Sequence, residues 1–542
     1  MATETTAVLE PRPPASQSLA ARATGTFLAL VLVGGLTKVV GFLREIVMAA
    51  QFGASRQMDA FLVAQTLPAA VQRVFDELLG ATVLPLFAGW CLAAGEPAAW
   101  TRLSRLLRLF CVVCGGGVAA AMLLARPAIG LLAPGLGEAG TNVAARALQI
   151  MLPSVVFVVV GTICAALLNY YHRFLWAAGI ALAGNVAALL CLVLYADRLG
   201  IYSAALGMTL STLLVLLLQW WAVPKPAVSA PAVAPTRPWL AEFWRLAKPL
   251  GAGIALFNLI PLVERYLASW LPEGNIALLN YAFKVDWLVY MVFVLPITTM
   301  VFPRLAAAGA AADGERFQQV LVMALKAALL VLLPAMVFLW VAGDSVVRLL
   351  FERGNFTAAH TAATAAILKV YLLGLPGAAA TLVLFYALYA LKQPAGRVAA
   401  GALGLAVAGG CGWVSVGLWG ARGIALTHAM NLSLIALLLG WFLQRSLGPV
   451  WWHLLGAFAA RAFLAGVASV PLTWLAARAL ERAWPEASAV SEASRLLVCG
   501  VTTAGGFVGL CWLLSVGEIR GLASELRGHF AALVNSRTGV SR

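Results

Sequence analysis

The sequence predicts an all-α polytopic membrane protein with about 14 transmembrane helices. Of its 542 residues, 62% are hydrophobic and only 11% are charged, whereas soluble domains are about 25% charged. The mean hydropathy is +0.92, and apolar runs long enough to cross a bilayer recur from end to end. The runs are continuous and do not alternate in polarity like the strands of an outer-membrane barrel, so the prediction is helical.

The first elements are two long helices joined by a short turn. Residues 1–24 are rich in Ala, Thr and Pro, which predicts a disordered cytoplasmic tail. The first helix is predicted over 26–52 and the second over 57–92, where Pro68 and Pro85 are expected to bend it. The remaining apolar blocks of this half are predicted at 106–126, 147–169, 175–196 and 202–223.

A Pro/Ala-rich segment, PKPAVSAPAVAPTRP, divides the chain and is predicted to be an extended cytoplasmic linker. After it, apolar blocks are predicted at 246–271, 277–303, 320–342, 361–391, 397–419, 423–443, 455–478 and 494–516. The predicted organisation is a tail (1–24), an N-lobe of six helices (25–223), the linker (224–238), a C-lobe of six helices (239–445), two further helices (446–518) and a cytoplasmic C-terminal tail (519–542).

An internal repeat supports two lobes of six helices each. The segment GIYSAALGMTLSTLLVLLLQWW (200–221) is similar to ARGIALTHAMNLSLIALLLGWF (421–442). Duplicated helix bundles with a binding site between them are a recurrent plan of transporters.

Basic residues predict the topology and exclude other classes of function. Lys and Arg are more frequent in alternate loops, which predicts that both termini are cytoplasmic. The net charge of +15 comes largely from basic residues between the apolar blocks. This pattern indicates membrane topology and contact with anionic lipids, so no nucleic-acid partner is expected. Cys111 and Cys114 form a CxxC without a second pair, and the five histidines are dispersed, so neither a metal site nor a cofactor is predicted.

Charged residues within the predicted helices are the strongest indication of a functional site. Each costs from about 2.5 kcal/mol upward at bilayer depth, and such groups usually face a bundle interior or a wet cavity. Arginine also presents a fork of donors that suits phosphate. The cationic residues therefore predict an anion-binding cavity, and they are Lys38, Arg44, Arg73, Arg265 and Lys284.

Carboxylates accompany these cations, and their role is open at the sequence level. They are Glu45, Asp59, Glu77, Glu264 and Asp286. They can hold the basic side chains in place, carry a proton or bind a coupling cation. Asp59 can also favour the dipole of the helix that it opens. A purely structural reading pairs Arg44 with Asp59, Arg73 with Glu77, and Lys284 with Asp286.

Three segments resemble the MurJ/MviN lipid II flippases, within the multidrug/oligosaccharidyl-lipid/polysaccharide exporter superfamily. They are VVGFLREIVMAAQFGASRQMDAFLVAQTLP (39–68), YAFKVDWLVYMVFVLPITTMVFPRLA (281–306) and LLFERGNFTA (349–358). The resemblance implies a V-shaped, two-lobed transporter in the bacterial inner membrane and no enzymatic activity. By alternating access it would move undecaprenyl-diphosphate-linked peptidoglycan precursor (lipid II) from the cytoplasmic to the periplasmic leaflet. The last two helices would hold the lipid tail.

The resemblance also implies which residues bind the substrate: Lys38, Arg44, Asp59, Arg73 and Lys284. Glu45, Glu77, Glu264, Arg265 and Asp286 would be supporting charges. Arg44 and Asp59 match the family pattern directly, while Lys38 and Lys284 stand where the family usually has arginine. Phe283 replaces an aspartate that is common there.

These departures leave an alternative substrate open, namely another polyprenyl-linked glycan such as an exopolysaccharide or O-antigen repeat unit. A drug/cation antiporter of the same superfamily is a further alternative, but it would favour an acidic cavity. Helix 397–419 has no Asp or Asn, so the sodium site of some family members is not predicted. The expected partners are the lipid substrate and membrane lipids, and the expected state is a monomer.

Overall fold

The computed structural model describes residues 15–225, 239–391, 393, 395–448, 450–483 and 489–516, whose regular elements are all helical. The helices before the linker are α1 (Ala15–Phe52), α2 (Arg56–Ala94), α3 (Glu96–Leu123), α4 (Ala125–Leu132), α5 (Gly137–Met151), α6 (Pro153–Tyr170), α7 (Phe174–Leu199) and α8 (Tyr202–Ala222). Those after it are α9 (Trp239–Ala268), α10 (Asn275–Val289), α11 (Leu295–Ala310), α12 (Gly314–Phe351), α13 (Ala358–Leu372), α14 (Leu375–Ala390), α15 (Ala395–Trp419), α16 (Ala421–Leu447), α17 (Val450–Ala483) and α18 (Ala489–Leu513).

The predicted class, an all-helical polytopic membrane protein, is confirmed. Among the described residues, 11 helices are long and apolar enough to cross a membrane, or up to 13 if each of two bent pairs forms one span. The predicted number of about 14 is therefore not confirmed, and α1 is not among the spans counted in the described residues. One bent pair is α13 and α14, which meet at 45°. Pro376 lies in the first turn of α14, where its ring prevents the preceding helix from continuing.

Several predicted boundaries fall in different places in the structure. Helix α1 begins at Ala15, inside the stretch predicted as a tail, while residues 1–14 lie outside the described part. Most of the linker (226–238) and the C-terminal tail (519–542) also lie outside it. Within the segment LLFERGNFTA (349–358), α12 continues through Phe351 and the turn begins at Glu352. The predicted lobe boundaries stay a prediction.

The described residues form two compact units. The first unit draws on Met1–Glu45, Leu79–Val118 and Met151–Leu240. In it, α8 packs against α6 and α7, and the fully buried ring of Phe87 meets the ring of Tyr170 edge to face at 5.0 Å.

The second unit draws on Ile46–Leu78, Ala119–Ile150 and Ala241–Arg542. Its long helix α12 packs against α11, α13, α14, α17 and α18. Phe317 and Leu321 of α12 are buried in one apolar cluster with α11, α14 and α16, while Leu333 is buried in a second cluster with α17 and α18. A π-helical segment, Tyr290–Val294, joins α10 to α11.

The internal repeat has a structural counterpart within each unit. Helix α7 packs against α8, and α15 packs against α16. A glycine in the left-handed region follows the first helix of each pair, Gly200 with φ of 54° and Gly420 with φ of 57°. A residue with a side chain is disfavoured at such a backbone angle, so both glycines end a helix and allow the next to turn back.

Candidate functional site

A cavity of about 270 Å³ in the second unit collects several of the predicted charges. Its walls come from α2, α9, α10, α13 and α16. Three cationic side chains line it, Arg73, Arg265 and Lys284, against one carboxylate, Glu264. With its histidine neutral, the formal charge of the lining is three minus one, or +2, so the cavity suits an anion.

Arg73 reaches the cavity because α2 continues as a helix past Pro68. Gln65, Ala69 and Arg73 are spaced by four residues, share one helix face and all line the cavity. The Arg73 Nε donates a hydrogen bond to the Ala69 carbonyl at 3.2 Å. Within the described residues Arg73 forms no salt bridge, which leaves its charge available to a ligand.

Arg265 is held more firmly than Arg73. Its Nη1 donates to the Ile276 carbonyl and its Nη2 donates to Asn280 Oδ1, both at 3.4 Å. Asn280 also lines the cavity, and its buried Nδ2 has no hydrogen-bond partner in the described part of the chain. An unsatisfied buried donor costs about 1–3 kcal/mol, so an acceptor from a ligand would be stabilising at this position.

His428 of α16 completes the polar wall, and it is not among the residues predicted from the sequence. Its Nδ1 lies 2.8 Å from Glu264 Oε1, and the ring of Phe283 meets it edge to face at 5.6 Å. Asp286 lies nearby at 6% exposure, with an Oδ1 that lacks a partner among the described residues. The sequence signal that identifies His428 is its place as an ionisable residue inside an apolar span.

Asp59 is not among the cavity residues, because its carboxylate caps helix α10 instead. Its Oδ2 accepts from the Gly274 N–H at 2.6 Å, and its Oδ1 accepts from the Ala277 N–H at 2.8 Å. The first N–H groups of a helix have no partner within it, and a negative charge there is favourable. Asp59 is only 4% exposed, so in this structure it positions α10, the helix that carries Lys284.

Further contacts join the α1–α2 turn to two loops of the same unit, and we call this region the hairpin junction (residues 50–59, 272–277 and 352–357). Arg56 forms a salt bridge with Glu273 at 3.0 Å. The Asn355 N–H donates to the Ala50 carbonyl at 2.8 Å, and Asn355 Nδ2 donates to the Gln51 carbonyl at 2.5 Å. The junction borders a second cavity of about 620 Å³.

Glycine is required where these backbones meet. Gly53 has φ of 56°, and a Cβ there would collide with the backbone carbonyl of Asn355. We therefore expect Gly53→Ala to destabilise the protein by at least about 1–2 kcal/mol, the cost of a left-handed L-residue. The measurement is the unfolding temperature of purified protein. The control is Gly409→Ala, because Gly409 is helical with open space around its Cβ position; equal behaviour of both variants would contradict the prediction.

The other predicted residues lie elsewhere. Lys38 and Arg44 belong to the first unit, where Lys38 is exposed and Arg44 Nη2 lies 3.2 Å from Oε1 of the buried Glu45. Glu77 forms a salt bridge with Arg397, whereas the structural reading of the sequence pairs it with Arg73.

Comparison with known proteins gives a consistent result. Residues 48–489 match the family model described as "Lipid II flippase MurJ". The chain is 31% identical over 362 residues to a probable lipid II flippase MurJ of Rhizobium meliloti (strain 1021), covering 64% of this chain and 66% of the relative. It is 26% identical over 519 residues to the lipid II flippase MurJ of Burkholderia cenocepacia, covering 90% and 97%.

A solved structure shows the same fold. The structure titled "Lipid II flippase MurJ, inward closed conformation" superposes with a TM-score of 0.73 at 20% identity, covering 90% of this chain and 99% of that one.

Proposed function

Since the chain belongs to the lipid II flippase MurJ family, we propose that it moves lipid II from the cytoplasmic to the periplasmic leaflet of the bacterial inner membrane by alternating access. The proposed activity is translocation of the lipid, in which no covalent bond is formed or broken. The relatives named lipid II flippase support this substrate, and the cationic cavity supports an anionic headgroup.

The observation that carries the proposal is the surplus of positive charge in the cavity. Arg73, Arg265 and Lys284 outnumber the single carboxylate that lines the cavity, and a net positive charge at membrane depth is costly unless a ligand or water stabilises it. A diphosphate supplies two negative charges and several acceptors. The Arg73 guanidinium can bind it with two parallel donors, whereas the Lys284 ammonium acts as a point charge.

The hairpin junction supports a gating role. With the N-terminus in the cytoplasm, α1 ends at Phe52 on the periplasmic side, so the junction would close the periplasmic end. Its exposed contacts, the Asn355 hydrogen bond and the Arg56–Glu273 salt bridge, are each of modest net free energy. Such contacts can break and re-form as the headgroup leaves. Helix α10 connects the junction to the cavity, because Asp59 caps its first turn and Lys284, further along the helix, lines the cavity.

The remaining sequence-based assignments stand as proposals beside this one. They are substrate contacts by Lys38 and Arg44, cytoplasmic termini, a monomeric state and a lipid-tail groove at α17 and α18. The large exposed apolar residues on those two helices, such as Leu464, Val467 and Val501, suit contact with hydrocarbon.

The test is periplasmic exposure of lipid II in bacteria depleted of their own flippase. We expect expression of this chain to restore cleavage by an externally added lipid II-cleaving toxin. Membrane levels are checked by blot. Absence of cleavage at normal expression would contradict a lipid II flippase and favour another polyprenyl-linked glycan as substrate.

A further inference from the structure

His428 occupies a place in the cavity wall where carboxylates from two other helices lie close to its ring. Its Nδ1 lies 2.8 Å from Glu264 Oε1 on α9, and Asp286 on α10 is near enough for its charge to act on the imidazole. Asp286 is 6% exposed, and its Oδ1 has no hydrogen-bond partner among the described residues. A buried carboxylate is costly unless a positive charge compensates it, so a proton on the imidazole would stabilise both carboxylates.

The imidazole is held in one orientation and still reaches the cavity. The rings of Phe283 and Tyr371 meet it edge to face, with centroids at 5.6 and 5.4 Å. The side chains of His428 and Glu264 are 20% and 19% exposed, and both residues line the cavity. Solvent that enters the cavity can therefore exchange a proton with this pair.

Histidine is the side chain whose charge ordinarily changes between about pH 5 and 8, and it lies here among several ionisable groups. Those that line the cavity with His428 are Arg73 of α2, Glu264 and Arg265 of α9, Lys284 of α10 and Tyr371 of α13. Helices α14 and α15 also pack against α16. Their ionisable side chains are not part of the cavity lining, and they are Tyr386, Tyr389, Arg397 and Cys411.

Protonation of His428 changes the charge that an anion meets in the cavity. When the ring is neutral and its Nδ1–H donates to Glu264, the lining has a formal charge of +2. A proton added at Nε2 leaves that hydrogen bond in place and raises the charge by one, from +2 to +3. The protonated form therefore binds an anion more tightly than the neutral form does.

We propose that His428 is a proton-binding residue of the transport site, and that the anionic headgroup of the lipid binds together with one proton on its imidazole. This inference rests on the proposed function and deepens it, because it assigns a second species to the same site. The linkage is reciprocal, so the headgroup strengthens proton binding by the same factor by which the proton strengthens headgroup binding. When the headgroup leaves, the ring returns to the neutral form, which lowers the charge that the cavity keeps inside the membrane.

The first experiment measures binding of lipid II to purified protein in phosphatidylcholine nanodiscs at two pH values. Both phosphates of lipid II are esterified and keep a constant charge over this range, so any change with pH belongs to the protein. One linked proton changes the affinity by up to about tenfold per pH unit, and we expect the wild type to bind at least about fivefold more tightly at about pH 6 than at about pH 8.

The variant His428→Gln can still donate a hydrogen bond to Glu264 but cannot take up a proton. We expect it to bind lipid II equally at both pH values, with the affinity that the wild type has at the higher pH. The matched control is His172→Asn, because His172 is exposed and lies in neither described cavity. Its φ is 56°, an angle that asparagine tolerates, and this variant should keep the pH dependence of the wild type.

The second experiment counts the protons directly and does not depend on a variant. Calorimetric titration with lipid II is carried out near neutral pH in two buffers that differ in their enthalpy of ionisation. The wild type is expected to take up a fraction of a proton that approaches one per lipid, and His428→Gln is expected to take up none. Binding by the wild type without proton uptake would overturn the proposal.

Three other results separate the proposal from its alternatives. If His428→Gln keeps the pH dependence and Asp286→Asn loses it, the proton binds at Asp286 and the assignment to His428 is wrong. If folded His428→Gln fails to bind lipid II at either pH, the residue has a structural role and the proposal is overturned. A wild type that binds lipid II at neither pH would instead overturn the proposed function, whereas equal binding at both would overturn only the linked proton.

Discussion

Replacing Arg73 by glutamate is expected to reduce lipid II translocation to the background of cells that lack the protein. Arg73 lines the cavity and forms no salt bridge within the described residues, so its charge is available to the substrate. A hydrogen bond to a charged group contributes about 1.5–3 kcal/mol, a factor of roughly ten to a hundred in binding. The carboxylate of the variant adds repulsion of about 4 kcal/mol per charge at 4 Å with an effective dielectric constant of 20.

Conservative variants make the Arg73 prediction specific. Arg73→Lys keeps the charge but loses the paired donors, so we expect activity between the wild type and Arg73→Ala. Toxin cleavage of lipid II in flippase-depleted cells is the measurement, and Arg316→Glu outside the cavity is the control. Full activity of Arg73→Glu at normal membrane levels would exclude this cavity as the headgroup site.

Replacing Asp59 by alanine is expected to cause the second largest loss of lipid II translocation. We expect this loss because Asp59 positions α10, and not because Asp59 contacts the substrate. The change removes both acceptors of the Gly274 and Ala277 N–H groups. A buried donor without a partner costs about 1–3 kcal/mol, so the start of α10 should open and Lys284 should lose its defined place. Asn retains one acceptor oxygen and is expected to be intermediate.

Hydrogen exchange separates this positioning role from substrate binding. Amides at 274–278 are expected to exchange faster in Asp59→Ala without substrate, together with a loss of translocation. The matched control is Glu138→Ala. Like Asp59, Glu138 lies in the first turn of a helix, but its side chain is 94% exposed. If translocation is lost while the exchange of these amides is unchanged, the capping role is wrong and Asp59 acts on the substrate itself.

Much of this protein was predictable because its solvent is hydrocarbon. Long apolar runs must be helical there to satisfy their backbone groups, and this determined the class without any tertiary information. The cost of charge in that environment selected Arg73, Arg265, Lys284 and Glu264 as candidates, and the structure brings these four to one cavity. The number of spans is not determined by the apolar runs alone, because bends such as that between α13 and α14 interrupt a run.

Pairing was not predictable, because it depends on distances between segments that are far apart in the chain. Glu77 was matched with Arg73, one helical turn away, but it binds Arg397, 320 residues away. Asp59 was assigned to its own helix or to the cavity, but it caps α10, whose Ala277 is 218 residues further on. His428 lies inside an apolar span, but its partner Glu264 is 164 residues away in the sequence.

The sequence by itself thus determined the helical membrane class, the family resemblance and the chemical character of the site, since these depend on composition and local pattern. The tertiary structure decided which charges share the cavity, which charge caps α10 and which carboxylate pairs with His428. Those relations depend on how the helices α2, α9, α10, α13 and α16 pack. Packing brings together residues that are far apart in the chain, and hydrophobic periodicity, which is a local pattern, does not predict such contacts.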